Sequence, residues 1–299
     1  MDLSEHVESA LEWAVVAAQT GEQSGRRAPR RLSLALRHAV FAGGSRVRPR
    51  LCMAVANACA PSAPMRSALG SGVAIELLHC ASLVHDDLPC FDDAQTRRGA
   101  PSVHCAYGEP IALLAGDALI VMAFQALLHF VGDNPEKYVV LSKLLMEAAG
   151  SPAGIVAGQA WESEKSIDLR AYHCAKTGAL FVAACRAGAL AVGGDPDEWA
   201  PLGARLGEAY QIADDICDIL GFEDEIGKPV DADNRNGQPN SVHYFGLEGA
   251  MEQLNGLVED AILAIPDSPG AAELRKLVDG QADRLRNLVL KCDARARRD

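Results

Sequence analysis

Apolar residues recur three and four positions apart through residues 3–19, 30–41, 48–60, 65–86, 110–131, 136–149, 152–164, 168–193, 196–222, 246–265 and 269–295, the spacing of amphipathic helices. Short breaks carrying Gly or Pro separate these segments: FAGGSRVRP (41–49), CAPSAP (59–64), HFVGDNPEK (129–137), VGGDPDE (192–198), IGKPVDADNRNGQPN (226–240) and IPDSPG (265–270). None reads as a flexible linker, and no short period repeats, which excludes a solenoid. The pattern predicts an all-α fold, one domain over 1–299 built as a bundle of about ten or more helices with charged connections at its ends. Composition agrees: 49% of residues are hydrophobic but only 5% aromatic, and Ala and Leu dominate where strands would need Val, Ile, Thr and Tyr.

Charge and cysteine usage narrow the function classes. Forty acidic against 28 basic residues give a net charge of −12, which argues against a nucleic-acid partner, because phosphate neutralisation needs basic patches. The nine cysteines, at 52, 59, 80, 90, 105, 174, 185, 217 and 292, form no CxxC pair; they read as buried thiols of a reducing cytoplasm. The first residues, MDLSEHVESALEWAVVAA, begin with acids and are amphipathic, unlike a secretion signal. No uninterrupted apolar run reaches about 18 residues, the length of a spanning helix. The expectation is a soluble protein without a transmembrane segment.

Two stretches break the amphipathic rule. In VAIELLHCASLVHDD (73–87) the helix is stopped by Pro89, which disfavours helical geometry in the residue before it. Asp86 and Asp87 therefore sit in a last turn, where the helix dipole disfavours acids, and Asp92 and Asp93 follow at once. Carboxylates about 5 Å apart repel by roughly 3 kcal/mol at an effective dielectric near 20. A cation removes that penalty, and hard oxygen ligands without His or Cys favour Mg²⁺ over zinc. Arg97 and Arg98 lie close by and suit a phosphate shared with such an ion; a solvated acidic turn with simple salt bridges is the alternative. In GEAYQIADDICDILG (207–221), Gln211, Asp214 and Asp218 share one helical face and Asp215 lies beside them. Buried among Tyr210, Ile212, Ile216, Ile219 and Leu220, such a stripe again calls for metal.

Together DDLPCFDD and DDICD resemble the two aspartate-rich motifs of trans-isoprenyl diphosphate synthases, in particular the bacterial geranylgeranyl diphosphate synthases of carotenoid pathways. GGSRVRP (43–49) is similar to that family's GGKRxRP, AGDALI (115–120) to its GDxLL helix, KTG (176–178) to its Lys-Thr pair, and GKPVDAD (227–233) to the loop after its second motif. The resemblance implies a helical bundle around a deep central cavity, usually a homodimer, with three Mg²⁺ ions between the two acidic helices. Matched by position, Asp86, Asp87 and Asp92 would bind Mg²⁺ from one side, Asp214 and Asp218 from the other. Arg97, Lys176, Thr177, Gln211 and Lys228 match residues that contact the allylic diphosphate (dimethylallyl, geranyl or farnesyl); Arg48, His79 and Arg98 match the isopentenyl diphosphate site. The implied chemistry is ionisation of the allylic C–O bond, attack by the isopentenyl double bond and loss of a proton to the departing pyrophosphate, with no protein nucleophile.

Three positions depart from the pattern. Ser45 stands where the family usually has a lysine, Gln238 where many members have a second one, and Asp231 replaces a loop glycine. Losing one charge-assisted contact costs about 1.5–3 kcal/mol unless something replaces it, and Arg46 is the nearest candidate. The charged, Gly- and Pro-containing loop 226–241 reads as a lid. Product length follows from helix geometry: Ser82 and Ala81 lie four and five residues before Asp86, about 6–7.5 Å down the helix. Both are small, where fifteen-carbon synthases carry a bulky aromatic, so the resemblance implies a twenty-carbon product. Met122 and Phe124 could instead supply a floor for a fifteen-carbon product. A terpene cyclase or a head-to-head synthase fits DDICD and GGSRVRP less well, and a regulatory subunit of a heteromeric synthase is the non-enzymatic rival.

Overall fold

A computed structural model describes residues 3–20, 27–220 and 240–296, with side chains up to residue 287. Among the described residues the chain forms thirteen α-helices. The first four are α1 (Leu3–Thr20), α2 (Arg30–Phe41), α3 (Val47–Cys59) and α4 (Arg66–Asp86). After a small hairpin come α5 (Val103–Tyr107), α6 (Glu109–Val131), α7 (Pro135–Ala149) and α8 (Ile155–Trp161), then α9 (Leu169–His173), α10 (Ala179–Ala191), α11 (Pro196–Leu220), α12 (Ser241–Leu263) and α13 (Ala271–Ala296). Starts are set by local chemistry: Asn134 caps α7 by accepting from Lys137 N at 3.0 Å ahead of Pro135, and Asp168 caps α9 by accepting from Ala171 N at 3.1 Å.

The helix that ends in the first acidic motif lies at the centre. α4 is buried on nearly every side, and it packs along α6 more extensively than any other two helices pack. α3 and α10 cover its other faces. That arrangement explains why residues 66–86 are apolar all round rather than along one stripe. The α4–α6 contact is close at the acidic end, where a Cβ at Gly116 would lie 2.0 Å from His85 Nε2. A bare backbone there lets the His85 ring rest on α6, next to Asp86.

Some predicted elements are broken where the chain does something local. Of 152–164 only Ile155–Trp161 is α-helical, and 168–193 is interrupted by a π-helical turn at Cys174–Gly178, a feature common at functional sites. α12 starts five residues earlier than its apolar pattern, with a kink at Gly246 (φ 70°). Between α4 and α5, Thr96–Arg97 pairs antiparallel with Ala100–Pro101 around Arg98 (φ 56°) and Gly99 (φ 75°). Two central residues with positive φ are what a type I′ hairpin turn requires.

Two features bear on what composition led one to expect. Among the described residues three stretches, Arg66–Asp86, Glu109–Val131 and Leu169–Ala191, are long and apolar enough by length and composition to cross a membrane. Counting only uninterrupted apolar runs passes over them, because charged residues such as Glu76, Asp117 and Lys176 interrupt them. Their apolar windows are 72%, 44% and 61% buried inside the bundle. The cysteines are not all buried: Cys52, Cys80, Cys185 and Cys217 are, but Cys90, Cys105 and Cys174 are exposed, and all are free thiols. Cys90 lies in the turn after α4, Cys105 in the short α5 and Cys174 at the π-helical turn, where flanking apolar residues do not imply a core position.

Candidate active site

The first acidic motif is assembled by the end of α4 and the turn after it. Asp92 N donates to Asp86 O at 3.0 Å and Asp93 N to Leu88 O at 3.1 Å, folding the second pair of acids back over the first. Asp86 and Asp92 then lie with one carboxylate oxygen of Glu162, just beyond α8, all within 4.8 Å of one another. Among the described residues this is the one group of three acidic, His or Cys side chains able to hold a metal ion. Three hard oxygen donors without nitrogen or sulfur fit Mg²⁺.

Cations ring this cluster. Lys176 bonds Glu162 and lies 3.7 Å from Asp86 Oδ1; Tyr172 donates its hydroxyl to Glu162 Oε1 at 2.7 Å, and Gln159 Nε2 donates to Oε2 at 2.8 Å. Burial acts to lower the Lys176 pKa, but Asp86, Tyr172 and Glu162 outweigh it and hold the ammonium well above the usual lysine range. The close approach of α8 makes the contact possible, since a Cβ at Gly158 would lie 2.4 Å from Lys176 Cα. Arg97 donates to Asp87 Oδ1 through Nε at 2.8 Å and Nη2 at 2.5 Å. Asp87 is thus held by an arginine rather than within the three-carboxylate group. Burial raises its carboxyl above the usual range although Arg97 pulls the other way.

A second basic patch lies alongside. Arg98 donates through Nη1 to Gly43 O at 2.6 Å and through Nη2 to His79 Nε2 at 3.4 Å. The Arg48 guanidinium stacks over the Phe181 ring at 4.6 Å. Burial, then Arg48 and Arg98, push His79 well below the usual histidine range, so it accepts from Arg98 as a neutral ring. Ser45 is exposed in the turn before α3. Arg46 does not replace the lysine missing there: it is 5% exposed and spends its donors on Glu8 (2.8 Å), Glu76 (3.0 Å) and Val40 O (2.6 Å). A buried guanidinium beside two carboxylates has strong local partners, which proximity in sequence did not reveal.

The second acidic motif divides. Asp214 is exposed, whereas Asp215 and Asp218 are each 1% exposed. Neither Asp214 nor Asp218 belongs to the three-carboxylate group. Asp215 accepts from Gln211 Nε2 at 2.9 Å and from Ser241 N at 2.7 Å, while Thr177 donates to Gln211 Oε1 at 2.5 Å. Lys228, Asp231 and Gln238, with the rest of the expected lid up to residue 239, lie outside the described residues. Sequence reasoning overlooked Glu162; its only signal was Gln159 and Glu162 at i, i+3 on one helical face.

The polyprenyl synthetase family model matches residues 29–276. The chain belongs to that family. It is 47% identical to a geranylgeranyl diphosphate synthase of Cereibacter sphaeroides, covering 95% of this chain and 97% of the relative. It is 39% identical to a farnesyl diphosphate synthase of Geobacillus stearothermophilus, over 78% of this chain and 81% of that one. Its fold is similar to that of a Helicobacter pylori geranyltransferase solved with magnesium and isoprenyl diphosphate (TM-score 0.77, 26% identity, covering 95% of this chain and 98% of the other). Like its relatives, this polyprenyl synthetase is a prenyltransferase.

Proposed function

We propose that the protein condenses isopentenyl diphosphate with allylic diphosphates up to geranylgeranyl diphosphate, as one isoprenoid synthase domain with three Mg²⁺ ions per site. The observation that carries the reading is the convergence of Asp86, Asp92 and Glu162 within 4.8 Å, walled by Lys176 and Arg97. Acids packed so closely at a helix C-terminus oppose both Coulomb repulsion and the helix dipole, and a metal–diphosphate ligand relieves both. Mg²⁺, when bound, supplies Lewis-acid stabilisation of the diphosphate leaving group.

The chain's own residues do the rest. Lys176 and Arg97 add fixed positive charge where the departing pyrophosphate accumulates negative charge, and they need no reorganisation as it leaves. Arg48, Arg98 and neutral His79 hold the isopentenyl diphosphate, with Ser45 contributing a hydroxyl at the position of the family's usual lysine. Thr177, held by Gln211, faces the allylic cation with its oxygen dipole, and the pair exclude water, which would quench the cation. Asp214 and Asp218 would add metal ligands from α11, and the resemblance assigns Lys228 to the same diphosphate. The small side chains of Ala81 and Ser82, five and four residues before Asp86 on α4, leave length for a fourth isoprene unit.

The exposed apolar residues Leu113, Leu114, Val121 and Leu128 on α6 with Val139, Val140 and Met146 on α7 support a homodimer through that face, since contiguous patches of this kind mark interfaces. Sedimentation at micromolar concentration checks this, a monomer excluding it. Abundant buried thiols support a reducing, cytoplasmic setting. The function itself is tested by incubating the protein with dimethylallyl and isopentenyl diphosphates and Mg²⁺ and sizing the products. A dominant C20 product is expected. A C15 product would place the floor at Met122 or Phe124 of α6, and no product in any length class would point to a regulatory subunit.

A further inference from the structure

The middle acid of DDICD has a place in the site that differs from those of its neighbours. Asp215 is 1% exposed, and its two oxygens are taken by different N–H donors, Gln211 Nε2 at 2.9 Å on Oδ1 and Ser241 N at 2.7 Å on Oδ2. Asn240 Nδ2 also donates to its backbone carbonyl at 3.1 Å, and His173 Nε2 lies 3.7 Å from Oδ2. A carboxylate so engaged only accepts.

That one-sidedness has a consequence two residues away. A glutamine amide can present either its oxygen or its nitrogen to a neighbour, but the end of Gln211 facing Asp215 must be the nitrogen. Its oxygen is then forced toward Thr177, which donates its single hydroxyl hydrogen to it at 2.5 Å. With that hydrogen spent, the remaining directions on Thr177 Oγ1 carry lone pairs. We propose that Asp215 is a positioning residue which, through Gln211, fixes the polarity of the Thr177 hydroxyl so that its oxygen meets the allylic cation lone pairs first. This rests on the proposed function, in which Thr177 lines the reacting carbons.

Asp215→Asn reverses the relay without changing shape. The backbone N–H of Ser241 cannot rotate, so it claims the Asn oxygen and leaves the Asn NH₂ facing Gln211. Gln211 must then turn its oxygen to Asn and its NH₂ to Thr177. Thr177 becomes an acceptor there and aims its hydrogen at the cation.

The test is a double-mutant cycle between two residues bridged by Gln211, with kcat, both KM values and the Mg²⁺ activation curve measured for the wild type, Asp215→Asn, Thr177→Val and the double variant. Asp215→Asn is expected to lower kcat on the order of 10²-fold, the size of losing one preorganised dipole, with KM and Mg²⁺ dependence unchanged. In the Thr177→Val background the same change should alter kcat by no more than about twofold, the limit of additivity noise. An equal loss in both backgrounds overturns the relay, as does activity restored by raising Mg²⁺, which would make Asp215 a ligand. If Asp215→Asn loses its thermal unfolding transition, Gln211→Leu takes its place with the same two expectations. Wild-type protein that forms no prenyl diphosphate fails the proposed function and the relay with it; an active wild type with additive variants fails the relay alone.

Discussion

Replacing Ala81 with tyrosine tests the reading of product length most directly. Ala81 is 2% exposed and lies five residues before Asp86 on α4, about 7.5 Å down the axis at 1.5 Å per residue. A phenol ring there occupies the space of the last isoprene unit. Burying five carbons at about 0.8 kcal/mol each gives roughly 4 kcal/mol for that unit, and at 1.4 kcal/mol per decade its loss shifts the C20-to-C15 partition by about 10³-fold. The expected product of Ala81→Tyr is therefore C15 almost exclusively. Chromatographic sizing of dephosphorylated products reads the partition, and thermal melting provides the control. If position 81 faces solid packing instead of the growing chain, overpacking costs about 1–3 kcal/mol and the melting temperature falls while C20 persists. That pair of results would refute the reasoning and move the floor to α6.

Three further outcomes follow from the geometry. Glu162→Gln removes the charged partner of Lys176 and should lower kcat/KM by about 10- to 100-fold, the equivalent of about 1.5–3 kcal/mol for a charge-assisted bond; initial-rate kinetics check it, and a Mg²⁺ curve displaced to higher concentration would identify Glu162 as a ligand as well. Gly158→Ala drives a Cβ to 2.4 Å from Lys176 Cα, so backbone must move, with a loss of about 1–3 kcal/mol in denaturant titration and a lower kcat; unchanged stability would mean α8 is free to shift. His79 has its pKa depressed by burial and by Arg48 and Arg98, so below pH 6.5 the unfolded chain binds a proton the folded chain refuses. Its stabilising contribution is complete above pH 6.5 and is lost as pH falls toward the depressed value, by at most about 1.4 kcal/mol per pH unit. His79→Gln, which keeps an acceptor for Arg98, should flatten that slope in urea midpoints measured between pH 7 and pH 5; an unchanged slope would refute it.

Much of the molecule was legible before folding because it depends on local rules. Apolar spacing and Gly/Pro punctuation marked the long helices, and the clash of Asp86 and Asp87 with the α4 dipole marked a cation site without reference to any other part of the chain. The resemblance of GGSRVRP, DDLPCFDD and DDICD to one enzyme family added the candidate residues. What the sequence could not order was partnership. Arg46 and Arg48 are two residues apart, yet one is sequestered by Glu8 and Glu76 and the other stacks over Phe181. Asp214 and Asp215 are adjacent, yet one is exposed and the other ties α12 to α11. Glu162 carried no signal beyond its spacing from Gln159 and became the third carboxylate because α8 touches the backbone of Lys176 at a glycine. Helix formation and charge repulsion act between neighbours in the chain, so composition and spacing determine them. Which donor meets which acceptor is decided by the packing of helices distant in sequence, where a rotation of one residue along a helix turns a ligand into a strut.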